Sequence, residues 1–172
     1  FVVTGATSGI GRATTEQLAR HGARVIMACR DRDLCVKERR DIVLGTGNKQ
    51  IYCRQVDLSS YESIRNFVAK LTSGKTKMDQ IDGLINNAGL IAKERRLTKE
   101  GTELMFGVNH LGTFLLTALL LEPMLNQKSP ARIVFVNTET IFRDTNVNWD
   151  DLNSEKTTKF DPIMVNKQSK LA

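Results

Sequence analysis

The stretch Thr4-Gly5-Ala6-Thr7-Ser8-Gly9-Ile10-Gly11 lies between an apolar segment, Phe1 to Thr4, and a helical pattern that continues through Leu18. Three glycines at this spacing, at a strand-to-helix junction, narrow the possible folds more than any other feature of the 172 residues. Gly5 permits a tight turn, Gly9 lets phosphate groups approach the backbone, and Gly11 lets helix and strand pack closely. The amides opening the helix, Ser8 to Gly11, then face an anion. The pattern without its flanking strand and helix would be an ordinary turn. In this context it predicts a dinucleotide whose pyrophosphate is held by Gly5, Ser8, Gly9, Ile10 and Gly11.

Further along, apolar runs alternate with helical patterns, as right-handed crossovers in a parallel sheet require. Strands are expected at Phe1 to Thr4, Arg24 to Cys29, Ile51 to Val56, Gly83 to Asn86 and Arg132 to Asn137. Most are near-continuous apolar runs, the pattern of strands covered on both faces. The fold class is α/β, a Rossmann-type doubly wound parallel sheet truncated before its last strands, with residues 1–172 forming one nucleotide-binding domain. Ile64, Phe67, Val68 and Leu71 recur at helical spacing, with Ser59 and Glu62 as a capping box upstream. Leu111 to Leu121 is apolar nearly all round and predicts a deeply buried helix, kinked or ended at Pro123. Gly45-Thr46-Gly47-Asn48 and Ser73-Gly74-Lys75 supply turns. The polar region Thr138 to Val165 lacks periodicity and reads as a surface excursion, of a size suited to a substrate-side lid.

The hydrophobic share of 41% suffices for one packed core. No segment reaches the roughly 20 apolar residues of a membrane span, so the chain reads as soluble. It begins inside a strand and stops inside a helix, and is therefore expected to be a fragment, with a preceding anchor or signal left open. The net charge is +6 and the pI near 9.4, but Lys37 to Arg40 and Lys93 to Arg96 contain acids and no interleaved aromatics, which argues for solvated surfaces and against nucleic acid. Cys29, Cys35 and Cys53 are odd in number and match no metal spacing, so neither a disulfide framework nor zinc is expected, and a reducing compartment is the mild inference. His21 and His110 are far apart; no metal site is expected.

Cofactor choice falls at the end of the second strand, where an acid would accept from the adenosine ribose and a base would pair with a 2′-phosphate. Cys29 and Arg30 occupy that corner. A guanidinium can bind a phosphate dianion bidentately at any relevant pH, so NADP(H) is favoured over NAD(H), although Asp31 and Asp33 lie close by. Arg12 is a further candidate from the first helix.

Taken together, the TGATSGIG turn, Asp57 in VDLS, Asn86-Asn87-Ala88-Gly89 and Asn109 in VNHLGTF resemble the short-chain dehydrogenase/reductase family. The phrases ACRD, LINNAG and VNHLGTFLLT are most similar to its retinol-dehydrogenase-like branch, whose members act on retinoid or other lipophilic carbonyls. The resemblance implies that Asp57, with Leu58 beside it, meets the adenine, that Asn87, Ala88 and Gly89 line the nicotinamide-side ribose, and that Asn109 holds a water relay. It also implies a catalytic serine, a tyrosine, and a lysine four residues later that binds the ribose and lowers the phenol's pKa. Thr138 stands at the serine position and Lys170 at the lysine position. Asn166 stands where tyrosine belongs, and an amide has no proton to exchange near neutral pH. Tyr52 and Tyr61 are too far along the chain to substitute, and Lys167 should point away. Two readings follow: an NADP(H)-dependent oxidoreductase acting on a lipophilic alcohol/carbonyl pair with an impaired catalytic half, or a non-catalytic NADP(H)-binding sensor or interaction protein. Relatives of this kind continue into a sixth and seventh strand and pair through their fourth and adjoining helices, so a homodimer is expected of the full-length protein.

Overall fold

The computed structural model describes residues 1–73, 77–138 and 146–172. Five parallel strands, β1 (Val2–Thr4), β2 (Val25–Cys29), β3 (Ile51–Gln55), β4 (Gly83–Asn86) and β5 (Arg132–Phe135), lie in the order β3-β2-β1-β4-β5. The helices are α1 (Gly9–Arg20), α2 (Arg32–Thr46), α3 (Tyr61–Thr72), α4 (Thr113–Leu125) and α5 (Pro162–Leu171), with a π-helical segment, Phe106–Gly112, running directly into α4. The expected doubly wound architecture is therefore present, with strand ends shifted by a residue or two.

The sheet reverses its winding between β1 and β4, and in open parallel sheets ligands bind outside the carboxyl ends of the strands at such a reversal. Register fixes those ends: Thr4 pairs with Ala28, and Asn86 with Phe135. Every residue of β1, β2 and β4 is buried, as their apolar runs require. β5 departs from that expectation, with Val134 and Phe135 45% and 57% exposed, because it is an edge strand.

Two apolar clusters flank the sheet. On one face Ile64, Phe67, Val68 and Leu71 of α3 meet Leu116, Leu120 and Met124 of α4 over Val2, Ile26 and Leu84. Each such fully buried side chain contributes about 1.5–3 kcal/mol. On the other face Ala19, Cys35 and Ile42 cover Val3, Met27 and Ile85.

Local details differ from expectation for identifiable reasons. The cap of α3 is Ser60, whose hydroxyl accepts from the Ser63 amide, while Ser59 turns its hydroxyl toward Asp57, so the Ser59–Glu62 capping box does not form. Pro123 lies inside α4, which continues to Leu125. Gly47 closes α2 at φ 74°, a left-handed geometry suited to glycine. Gly74 and Lys75 of the Ser73 to Lys75 turn lie outside the described residues. The polar excursion ends at Asp161, which caps α5 by accepting from the amides of Ile163 and Met164. Its residues 139–145 lie outside the described set, but its second half is docked: Asn153 accepts from the Glu103 amide and donates to the Gly101 carbonyl, and Asp151 folds onto the amides of Glu155 and Lys156.

Two expectations need correction. The π-helical segment and α4 form one 20-residue helix, Phe106–Leu125, long and apolar enough by length and composition to cross a membrane, contrary to the sequence reading. The spanning length arises because the π turns continue the helix upstream of Leu111. Leu116 and Leu120 are wholly buried in the core, while Phe114, Leu121 and Leu125 are exposed. Second, Cys35 of α2 and Cys53 of β3 form a disulfide, Cα atoms 6.0 Å apart, leaving Cys29 as the free cysteine. Spacing of 18 residues says nothing of proximity; the crossover from β2 through α2 to β3 creates it.

Candidate functional site

The carboxyl ends of all five strands open onto one cleft of about 880 Å³. Its walls are Thr4 to Gly9 after β1, Ala28 to Asp31 after β2, Val56 to Leu58 after β3, Asn87 to Leu90 after β4 and Val136 to Thr138 after β5, closed on one side by Ile163, Asn166, Lys167 and Lys170 of α5. Of the residues singled out from sequence, Gly5, Ser8, Gly9, Ile10, Arg30, Asp57, Leu58, Asn87, Ala88, Gly89, Thr138, Asn166 and Lys170 border this cleft. Gly11 and Asn109 stand behind the wall.

The glycine turn has the geometry its spacing predicts. Gly5 and Gly9 have φ of 62° and 49°, in the left-handed region. A Cβ on Gly11 would collide with the Gly5 carbonyl and the Asn87 side chain, whereas one on Gly9 would meet nothing within 4 Å. Gly11 is thus a packing glycine, and Gly9 borders open space at the start of α1. A diphosphate fits that space, since its charge would face the amides at the helix N-terminus.

Thr4 organises the opposite wall, a role the sequence reading missed. Its hydroxyl accepts from the amides of Asn87 and Ala88 and donates to the Ile85 carbonyl, and the Asn87 side chain donates to the carbonyls of Thr4 and Gly5. A hydroxyl at the end of an otherwise apolar buried strand was the available signal. The adjacent wall is shaped by Asp57, whose Oδ1 accepts from the amide and hydroxyl of Ser59.

At the β2 corner the acids that clouded cofactor choice are accounted for in part. Asp31 caps α2, its carboxylate accepting from the Leu34 amide. Arg30 is exposed, borders the cleft, and has no ion pair or side-chain hydrogen bond among the described residues; the Gln55 amide meets only its backbone carbonyl. Arg12 is turned elsewhere: Glu38 and Glu16 hold its guanidinium and raise its pKa, so it is not directed to the cleft. Cys29 is buried, and desolvation pushes its thiol up to about 12.

The α5 wall is a connected polar network. Asn109, buried, accepts from the Leu90 amide and donates to the Leu90 carbonyl and to Ser169 Oγ, and Ser169 donates to the Asn166 carbonyl. Asn109's side chain is therefore occupied by protein groups. Asn166 Nδ2 donates to that same Leu90 carbonyl at 3.2 Å. Lys170 Nζ donates to the Val136 carbonyl at 3.3 Å and crowds Gly89, where a Cβ would lie 3.2 Å away. Burial lowers its pKa. Asn137 ties the strand to the helix by donating to the Lys170 carbonyl and accepting from the Thr138 amide. Lys167 borders the cleft, contrary to the expectation that it points away. Ser169, three residues from Asn166 in the lysine segment, is the member of this network that the sequence reading passed over.

Residues 1–146 match the family described as short chain dehydrogenase. The chain is 42% identical to human retinol dehydrogenase 13 over 171 residues, covering 99% of this chain and 50% of that protein. It is 40% identical to human retinol dehydrogenase 14, covering 99% of this chain and 53% of that one. It thus spans about half the length of these curated relatives. Among solved structures, an uncharacterized protein from Mycobacterium Paratuberculosis superposes with a TM-score of 0.83 at 36% identity, over 99% of this chain and 56% of that one. The chain belongs to the short-chain dehydrogenase/reductase family, on its retinol-dehydrogenase-like branch.

Proposed function

We propose that this chain binds NADP(H) in the cleft and belongs to an oxidoreductase for a lipophilic alcohol/carbonyl pair whose chemistry is slow because position 166 carries an amide. Proteins of this family bind a nicotinamide dinucleotide and a substrate. The observation that carries the choice of NADP(H) is Arg30: it borders the cleft at the β2 corner with no ion pair among the described residues, while Asp31 is engaged in capping α2. Gly5, Ser8, Gly9 and Ile10 would receive the pyrophosphate, and Asp57 and Leu58 the adenine. Asn87, Ala88, Gly89 and Lys170 would hold the nicotinamide-side ribose. When bound, the nicotinamide gives or accepts a hydride.

The chain's own part in the reaction is to hold carbonyl oxygen and move a proton. Thr138 borders the cleft with a hydroxyl suited to the first task. For the second, Asn166 has no group that ionises near neutral pH, and its Nδ2 already donates to the Leu90 carbonyl. Lys170, desolvated and facing Gly89, is a ribose-binding group with a weakened hold on its proton. Leu90, Ile91, Val108, Val136 and Ile163 supply an apolar lining, in keeping with a lipophilic substrate and with the names of the relatives. Exposed Phe114, Leu121 and Leu125 on α4 support pairing of two copies in the whole protein.

The Asn166 bond also supports a second reading, in which the chain takes up NADP(H) and signals or docks without turnover. Calorimetric titration with NADPH and NADH, followed by single-turnover reduction of a long-chain aldehyde, separates the two. The first reading expects tighter NADPH binding and slow but saturable reduction. NADPH binding with no reduction at any enzyme concentration leaves the second, and no binding of either nucleotide removes both.

A further inference from the structure

The first turn of α2 borders the cofactor cleft through Leu34, yet Cys35 and Ile42 are the helix's buried residues, and Ile42 lies two turns farther on. Cys35 is therefore the anchor of the N-terminal turn, the turn that carries Asp31 at its cap and Leu34 on the cleft wall, immediately after Arg30. Cys35 is 1% exposed and is bonded to Cys53 in the middle of β3, paired with Met27 of β2. β3 is an edge strand and Cys53 is half-buried, the more exposed of the two bonded cysteines. Cys35 Sγ also lies 3.7 Å from the Met27 carbonyl, an acceptor for the thiol after reduction. Both redox states thus have a place to sit.

We propose that Cys35 and Cys53 form a thiol–disulfide exchange site that sets how firmly the 2′-phosphate corner at Arg30 is held. In the oxidised form a covalent tie joins α2 to the sheet beneath the corner. The reduced form leaves that end of α2 held by the Cys35 side chain, the Arg12–Glu38 pair and the hydrogen bond from Arg39 to the Ile51 carbonyl. The exchange partner is a low-molecular-weight disulfide: the Cys53 thiolate attacks one of its sulfurs, expelling a thiolate, and Cys35 then displaces the second thiolate from the mixed disulfide. Two protein thiols are oxidised, one external disulfide is reduced to two thiols, and the protons leave with them. The consequence for nucleotide affinity rests on the NADP(H) reading above; the exchange itself does not.

The test uses the full chain equilibrated in glutathione buffers from fully reduced to fully oxidised, with intact mass, hydrogen exchange and calorimetric titration on each sample. Oxidation is expected to remove two hydrogens, to slow amide exchange across residues 33–37 severalfold, and to tighten NADPH binding at least about threefold, roughly 0.7 kcal/mol, with a smaller effect on NADH. Cys53→Ser should abolish all three responses, and Cys35→Ala should do the same if the serine variant folds poorly. Thiols that stay free in every buffer overturn the proposal, as does a bond that forms without changing exchange at residues 33–37. If the bond forms and exchange responds but neither nucleotide binds in either state, the exchange site stands and the cofactor reading falls. Equal NADPH affinities in the two states overturn the claim that the bond governs the Arg30 corner.

Discussion

Asn166 and Asn109 converge on one atom, the carbonyl oxygen of Leu90, at 3.2 and 3.1 Å. Asn166 is thereby drawn into the support of the loop after β4. Its side chain pins the wall of the cleft.

Replacing Asn166 with Tyr gives up a single hydrogen bond to a carbonyl that Asn109 still serves, and places an exchangeable proton four residues from Lys170. Positioned general acids contribute about 10²- to 10⁴-fold. NADPH-dependent reduction of a lipophilic aldehyde should rise at least about tenfold on that scale, measured by stopped-flow absorbance of the cofactor. An unchanged rate would show that position 166 does not limit the chemistry.

Arg30→Asp should reverse or level the preference for NADPH. A hydrogen bond to a charged group contributes about 1.5–3 kcal/mol, so NADPH affinity should fall roughly ten- to hundredfold while NADH affinity holds or improves. Equal affinities in the unaltered protein would remove Arg30 from this role.

The two glycines differ in what they protect. Gly11→Ala drives a methyl into the Gly5 carbonyl and should lower stability by about 1–3 kcal/mol, the cost of overpacking. Gly9→Ala has room for the methyl but needs a left-handed backbone, at about 1–2 kcal/mol, and should weaken nucleotide binding more than it weakens the fold. Denaturant titration beside calorimetry distinguishes them; the opposite ranking would contradict the assignment of Gly9 to the phosphates.

Lys170 gives a pH signature. Burial lowers its pKa from the ordinary 10.5, so between the lowered value and 10.5 the unfolded chain binds more protons than the folded one. Stability contributed by this group therefore rises with pH through that window and falls again as the folded amine protonates. Lys170→Met should flatten this part of the stability profile, followed by urea unfolding from neutral pH upward. A profile identical to that of the unaltered protein would mean that the ammonium is solvated as freely folded as unfolded.

Much of this was legible in the residues because it is local. The glycine turn, five apolar runs and helical spacing of Ile64, Phe67, Val68 and Leu71 depend on neighbours in the chain, and backbone sterics with side-chain periodicity determine them. The disposition of charge was not legible in the same way. Arg12 and Arg30 are equally basic in the sequence, yet one is bound by Glu38 across α1 and α2 and the other borders the cleft.

By itself the sequence determined the family and the order of strands and helices, both carried by residue identity and short-range spacing. Only the tertiary structure decided that Cys35 meets Cys53, that Lys167 reaches the cleft, that Thr4 holds the loop after β4, and that the apolar helix extends back to Phe106. Those contacts depend on which distant segments the parallel crossovers bring side by side, and pairing across the sheet is a property of the whole fold that no local stretch encodes.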